Sequence, residues 1–498
     1  MHFIGFDIGS SSVKASLIDG ASGKLIASAT SPEGEMKISS PKPGWAEQEP
    51  ETWWKNVKAA CADILHKSSI APEDIKAIGI AYQMHGLVLV DKKRKVLHPA
   101  IIWCDSRAAQ IGARAFKKIG EEKCLEHFLN SPGNFTASKL RWVKENEPEI
   151  YNQVYKFMLP GDYIAMKMSG EIQTTISGLS EGILWDYKGQ KLADLLLDHY
   201  GISKDLVPDV VPTFSVQAEL SSKAAKELGL KSGTKITYRS GDQPNNAFSL
   251  NVLNPGEIAA TAGTSGVIYG VTDEAKYDGQ SRVNPFVHVN HTANSKRYGV
   301  LLCINGTGIL NSWLRRFLST GSTITYENMN HLAAKAPAGS GGLFFYPFGN
   351  GAERIFDNKN IGASLQNFQF NTHHAPYVIR AAQEGIVFAL NYGLGIMNDM
   401  GIRPKVIRAG EANMFLSPVF RTALSSLTGT VIELYNTDGS QGAARGAGVG
   451  LGYYKNFNEA FKSLKKIRSI EPDKKLSGIY QEAYGNWLIH LKKILASN

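Results

Sequence analysis

The chain has 498 residues, 43% of them hydrophobic and 20% charged, with a formal charge of +9. This length exceeds one ordinary core and predicts two domains, while the composition excludes a disordered or fibrous chain. No run approaches the roughly 18 consecutive apolar residues of a membrane-spanning helix, so no membrane partner is expected.

The four cysteines (Cys61, Cys104, Cys124 and Cys303) are widely spaced and form no CxxC pair. That argues against a disulfide scaffold or a zinc site and for a reducing compartment. The chain opens directly on a strand pattern without a basic-then-apolar leader, so a cytoplasmic location is expected. The densest cationic run, Lys92-Lys93-Arg94-Lys95, lies between two apolar stretches where a solvated hairpin turn is expected. No nucleic-acid partner is expected from it.

In chain order, residues 2–19 read as strand, polar turn, strand. Phe3, Ile4, Phe6 and Ile8 form an apolar run, Gly9-Ser10-Ser11-Ser12 breaks it, and Val13, Ala15 and Leu17 then alternate with polar residues. Asp7 stands inside the apolar run, where a carboxylate is costly unless a cation or donors meet it. It precedes a turn of small residues whose N–H groups can approach an anion. Two readings stand side by side: a carboxylate for a metal carried on phosphate, or a turn-capping Asp in an ordinary hairpin. The stretch 258–271, IAATAGTSGVIYGV, repeats this grammar around Gly263-Thr264-Ser265-Gly266. Two phosphate-sized hairpins half a chain apart predict two related halves facing one ligand.

A third strand, near 24–32, and a Pro-rich loop over 31–50 follow, then a helix from Pro50 to about His66. Residues 75–83 form a buried strand ending in Met84-His85-Gly86. The segments GLVLVD and KVLHPAIIW are expected to pair, and Cys104-Asp105-Ser106-Arg107 to start a helix. Further helices begin near Ser138 and Pro160. A strand at 235–238 leads into Ser240-Gly241-Asp242-Gln243-Pro244, where Asp242 could serve as a general base or as the cap of a helix starting near Asn245. In the second half, the echo hairpin is followed by a strand at 299–303, helices at 309–317 and 374–400, a strand at 405–410 and a helix at 415–428. A small-residue helix spans 440–454 and an amphipathic tail 456–498. The expected domains are 1–246, 247–454 and a helical tail, 455–498, packing back on the first domain. Alternating strands and helices in both halves give an α/β fold with mixed sheets.

The stretches GFDIGSSSVKASLID, GWAEQEPETWW, GIAYQMHGLVLVD, AIIWCDSR, SGDQPNN, TAGTSG and GTGILNSWLRRF occur in order. In these the chain resembles the FGGY carbohydrate kinases over essentially its whole length. The Gln83-Met84-His85-Gly86 stretch is similar to that of the xylulokinase branch. The resemblance implies two ribonuclease-H-like domains of the actin/hexokinase superfold, an interdomain cleft and an ATP- and Mg2+-dependent transfer of phosphate to a sugar hydroxyl. D-xylulose is the first expected substrate; gluconate, ribulose and glycerol are alternatives. An actin- or Hsp70-type ATP-driven switch is a further reading, opposed by the sugar-site residues. A homodimer is also an expectation.

By position, Asp7 matches the family's metal-associated carboxylate and Asp242 its catalytic base. Met84 and His85 match the pair that meets the sugar, with Gln83, Asp105 and Trp45 as further sugar-side candidates. Nucleotide contacts are expected from Ser10, Ser11, Gly263, Thr264, Ser265, Gly308, Ser312, Gly410 and Asn413. Read on their own, the residues favour plainer roles: His85 a satisfied structural histidine, Met84 a core residue, Asp105 and Arg107 a helix-capping surface pair, and the second hairpin a plain tight turn, while Trp45 is equally loop packing. Two departures from the family pattern stand out. Arg408-Ala409-Gly410 occupies a junction that is commonly three glycines, and the loop Phe348–Arg354 is longer than the compact Gly-Glu-Arg form.

Overall fold

A computed structural model describes residues 1–319 and 323–497. The chain forms two compact units. The first gathers Met1–Asn251, Pro285–Tyr298 and Thr437–Leu464; the second gathers Val252–Asn284, Gly299–Asn436 and the chain from Lys465 onward.

In the first unit six strands form one sheet: β1 (His2–Ile8), β2 (Val13–Asp19), β3 (Leu25–Ser31), β4 (Ile75–Tyr82), β5 (Phe214–Glu219) and β6 (Lys235–Gly241), in the order β5-β6-β4-β1-β2-β3. β1, β2 and β3 run antiparallel in succession, β4 lies parallel to β1, and β6 parallel to β4. The second unit repeats the plan with β7 (Glu257–Ala262), β8 (Gly266–Thr272), β9 (Tyr298–Ile304), β10 (Val406–Gly410), β11 (Ile432–Tyr435) and β12 (Lys466–Ile470), ordered β9-β8-β7-β10-β11-β12. β7 and β8 are antiparallel, β10 is parallel to β7 and β11 to β10. The echo heard in the two hairpins is thus a repeat of the whole sheet plan.

Each sheet is covered by helices that bury an apolar face. Pro50–Ser68 turns Trp53, Val57, Cys61 and Ile64 onto the first sheet, with Trp53 packed against Tyr163. On that sheet also lies Gly439–Gly450, which buries Ala443, Ala444 and Ala447 fully. A Cβ on Gly5 would overlap the Ser440 carbonyl, and one on Gly79 the Ala443 carbonyl, so backbone meets backbone here. Thr237 Oγ1 donates to the Ala447 carbonyl at 2.8 Å, and the Ser16 and Ser440 hydroxyls lie 2.8 Å apart.

Two expectations about the end of the chain change. The small-residue helix belongs with the first unit, because only small side chains fit against Gly5 and Gly79. The tail, expected as a whole on the first domain, divides: residues 455–464 stay with the first unit, and the chain from Lys465 packs into the second. In helix Lys474–Ser497 the Trp487 indole N–H donates to the Phe345 carbonyl at 3.1 Å, and the ring stacks on Tyr346 at 5.1 Å. The Tyr346 hydroxyl returns a bond to the Trp487 carbonyl at 2.9 Å. Among the described residues no helix is long and apolar enough to cross a membrane.

Candidate active site

Sheet register brings the first unit's candidates together. β1, β4 and β6 are parallel neighbours, with Ile8 opposite Tyr82 and Tyr82 opposite Gly241. Their carboxyl ends therefore present Asp7, then Gln83-Met84-His85, then Asp242 along one edge, where open α/β sheets bind ligands. Asp242 is the first residue of helix Asp242–Ser249, and Gly241 is its cap. Burial, and then the Asp7 charge, push the Asp242 carboxyl up to about 7. Asp7 is pushed to about 6 by burial and by Asp438, partly offset by Lys14. Its Oδ2 lies against Gly439, at the start of the small-residue helix. Two interacting carboxyls of this kind titrate as a pair.

The turn after β4 is fixed from several sides. The Gln83 N–H donates to the Ile8 carbonyl at 2.8 Å, and its side-chain amide reaches Gln48 Oε1 at 3.3 Å. Met84 is buried against Gly241. His85 has φ +62°, uncommon for a side-chain-bearing residue, and sits between the rings of Phe135 and Phe286. Its Nδ1 is 2.8 Å from the Glu181 carbonyl. A carbonyl only accepts, so Nδ1 carries the proton and, in the neutral ring, Nε2 is an acceptor.

Two residues that the sequence reading did not single out complete this region. Lys139 is 0% exposed and donates to the carbonyls of His85 (2.9 Å) and Ile102 (2.8 Å), so its amine ties the Met84–His85 turn to the neighbouring segment. Burial lowers its pKa to about 7. The carboxyl of Glu181, also buried, presses against Gly241 and faces the Tyr82 hydroxyl. Burial, followed by the nearby Asp242 charge, raises its pKa well above the ordinary carboxyl range. The available signal for Lys139 was a lysine on the apolar face of its helix, in line with Leu140 and Val143.

Asp105 and Trp45 take other roles. The helix expected at Asp105 begins at Ala109. The Asp105 carboxylate is 0% exposed and committed: Oδ2 accepts the Ala46 N–H at 2.6 Å, and both oxygens accept Arg107 Nε. Arg107 also donates to Glu47 at 2.7 Å and lies 3.7 Å over the Trp45 ring and 4.9 Å over Trp142. The Asp105 carboxylate, expected at the sugar, is thus an internal ion-pair partner, and the half-buried Trp45 ring stacks on the same guanidinium. In the first hairpin turn, the Ser10 carbonyl accepts from Gln48 and its hydroxyl from the Trp103 indole at 3.4 Å, while Ser11 is exposed.

The second unit has its own cavity, of about 620 Å³, at the carboxyl ends of β7 and β10. Gly263, Thr264, Gly308, Ser312 and Asn413, five of the residues expected to meet a nucleotide, line it. Ser265 and Gly410 do not: the Ser265 side chain turns to Cys303, and Gly410 ends β10 beside Tyr435. The Gly308 N–H donates to the Gly263 carbonyl at 2.8 Å and the Ile309 N–H to Thr264 at 3.2 Å, which locks the head of helix Gly308–Leu318 onto the hairpin turn. Arg408, at the altered junction, points to Glu257 (3.3 Å) and Glu433 (3.2 Å) on the two flanking strands. Its side chain is spent within the sheet.

Among the described residues no three His, Cys, Asp or Glu side chains form a metal-binding cluster. The donors at hand still suit Mg2+, which is commonly held by one or two carboxylates plus phosphate oxygens and water. A cation at Asp7 would also relieve the strain of two neighbouring buried acids.

Residues 2–249 match the N-terminal domain of the FGGY family of carbohydrate kinases, and residues 258–450 match its C-terminal domain. A xylulose kinase of Escherichia coli is 28% identical over 487 residues, covering 96% of each chain. An L-xylulose/3-keto-L-gulonate kinase of the same organism is 29% identical over 492 residues, covering 97% of this chain and 95% of that one. The crystal structure of a xylulose kinase from Brucella ovis superposes with a TM-score of 0.89 at 25% identity, covering 100% of both chains. The two domain matches together span most of the chain: it belongs to the FGGY family of carbohydrate kinases.

Proposed function

We propose that this kinase transfers the terminal phosphoryl group of ATP to the end hydroxyl of a ketopentose, D-xylulose first, giving D-xylulose 5-phosphate and ADP. The observation that carries the reading is the carboxyl edge of β1, β4 and β6. It puts a carboxylate poised near neutrality, Asp242, beside the Met84–His85 turn. The hydroxyl oxygen attacks the phosphorus, the bond to the ADP oxygen breaks, and the hydroxyl proton passes to Asp242. Lys139 and Glu181 keep the turn and the base in register. In the second unit Gly263, Thr264, Gly308 and Asn413 hold the nucleotide. Mg2+ at Asp7 would offset charge on the transferring phosphate.

The test is a substrate panel with purified protein: xylulose, ribulose, gluconate, 3-keto-L-gulonate and glycerol compared by kcat/KM. A preference for gluconate or glycerol overturns the substrate assignment. Sugar-independent ATPase activity with no sugar phosphate formed overturns the reaction.

A further inference from the structure

The long loop that departs from the family pattern grips a single residue, Asn305, from three sides. The Asn305 side-chain amide donates to the Ala352 carbonyl at 2.8 Å. Its carbonyl accepts from Asn350 Nδ2 at 3.2 Å. Its backbone N–H donates to the Glu353 carboxylate, 3.0 and 3.2 Å from the two oxygens, and the following N–H, of Gly306, meets the same carboxylate. Glu353 is itself held in place: its N–H donates to the Lys359 carbonyl, and its carbonyl accepts from Phe356 and Asn358. The residue is 0% exposed.

What Glu353 holds leads straight to the nucleotide side. Gly306 lies so close to the Pro347 carbonyl that a Cβ there would overlap it, so the backbone has one path. Thr307 is buried and donates its hydroxyl to the Ile304 carbonyl at 3.1 Å. Gly308 and Ile309 then make the two bonds to Gly263 and Thr264 that close the cavity wall. Only Asn305, Gly306 and Thr307 separate the Glu353 anchor from that wall. A buried carboxylate is costly, and an apolar residue could fill the space; two consecutive backbone N–H groups are what this one supplies an acceptor for.

We propose that Glu353 is a positioning residue for nucleotide binding, fixing through Asn305 and Gly306 the geometry of the wall formed by Gly263, Thr264 and Gly308. The proposal rests on the reading of that cavity as the ATP site. It carries a pH signature. Burial lifts the Glu353 carboxyl to about 7. The titratable and charged groups around it are the Cys303 thiol, pushed up to about 12, and the Arg354 guanidinium. Above about pH 7 both oxygens accept; below it one carries a proton, and the Asn305–Gly306 turn loses an acceptor.

The experiment is calorimetric titration of the full-length protein with a non-hydrolysable ATP analogue and, separately, with xylulose, at pH 6 and pH 8. At pH 8 Glu353→Gln should weaken analogue binding about tenfold, the scale of one lost charge-assisted hydrogen bond, with xylulose binding within about twofold of native. At pH 6 the two proteins should converge, because the native carboxyl is by then protonated; titration of the analogue's own phosphates cancels in the ratio. Equal analogue affinity at pH 8, a ratio that does not change with pH, or a matching loss of xylulose binding overturns the proposal. Adenosine, which has no phosphate to titrate, gives a second readout without any variant: native affinity should weaken several-fold from pH 8 to pH 6, and a flat response overturns the idea. A native protein that binds neither nucleotide nor adenosine refutes the cavity assignment and takes the proposal with it. A native protein that binds both, with E353Q behaving identically, refutes the proposal alone.

Discussion

Replacing Lys139 by methionine removes an ammonium that the first unit has buried completely while leaving a chain of similar length. The native Nζ makes two bonds to backbone carbonyls, at His85 and Ile102. Hydrogen bonds involving a charged group are worth about 1.5–3 kcal/mol each, so roughly 3–6 kcal/mol of attraction goes. Against this stands the cost of burying the charge. The pKa falls from 10.5 to about 7. A fall of about 3.5 pH units corresponds to about 5 kcal/mol, recovered when the charge is deleted. The two effects nearly cancel, and global stability should change by no more than about 2 kcal/mol. Function should not be spared, because the carbonyls on either side of the sugar turn lose their shared donor. The sugar KM should rise about tenfold or more while the ATP KM stays within about twofold. Thermal melting adds a signed test. The folded pKa lies below the unfolded one, so between about 7 and 10.5 the unfolded chain binds the extra proton and this group's contribution to stability improves with pH. The melting temperature of the native protein minus that of K139M should therefore grow from pH 7 to pH 10. A large drop in stability with an unchanged sugar KM, or a melting difference that shrinks with pH, would refute this account.

Asp242→Asn should lower kcat by about 10²- to 10⁴-fold while calorimetry still detects both sugar and nucleotide; turnover within a few-fold of native would remove Asp242 as the base. In the native protein kcat/KM should rise with pH and level off above about 7, since the Asp242 carboxyl must be ionised to accept a proton and burial has raised it there; a profile flat down to pH 5 contradicts that. Gly79→Ala should destabilise the first unit by at least about 1–3 kcal/mol in chemical denaturation, because the new methyl meets the Ala443 carbonyl rather than a movable side chain. Chelating divalent metal should stop phosphoryl transfer without lowering the melting temperature by more than a few degrees; transfer persisting in excess chelator would exclude Mg2+ from the reaction.

Much of the architecture could be read from spacing, because each hairpin declares itself by alternation and a small-residue turn, and parallel strands by short apolar runs. The convergence of Asp7, the Met84–His85 turn and Asp242 could be expected as well, since each follows a strand that ends at a polar break. What spacing could not convey is which partner a charged side chain chooses. Asp105 looked available for a sugar, yet Arg107, two residues on, takes both its oxygens between Trp45 and Trp142. Lys139 and Glu181 were hidden for the reverse reason: each stands in a helix among buried residues, and what each side chain meets is distant in sequence, the His85 and Ile102 carbonyls for Lys139 and the Tyr82 hydroxyl beside Gly241 for the Glu181 carboxyl. Ser265 and Gly410 belong to the right motifs but do not line the cavity, because the Ser265 hydroxyl turns to Cys303 and Gly410 is still paired in the sheet with Tyr435. The tail showed an apolar face without showing what it would cover.

The ownership of helix Gly439–Gly450 constrains how this protein can be made. Its alanines and glycines seal one side of the sheet that begins at His2, yet they are translated after almost nine-tenths of the chain. During synthesis the earliest strands must wait, one side bare, until the closing piece leaves the ribosome. A fragment ending at Asn251 would carry every candidate sugar-side residue and still lack its lid of small side chains, so expression of that half alone should give an aggregating product rather than a miniature enzyme.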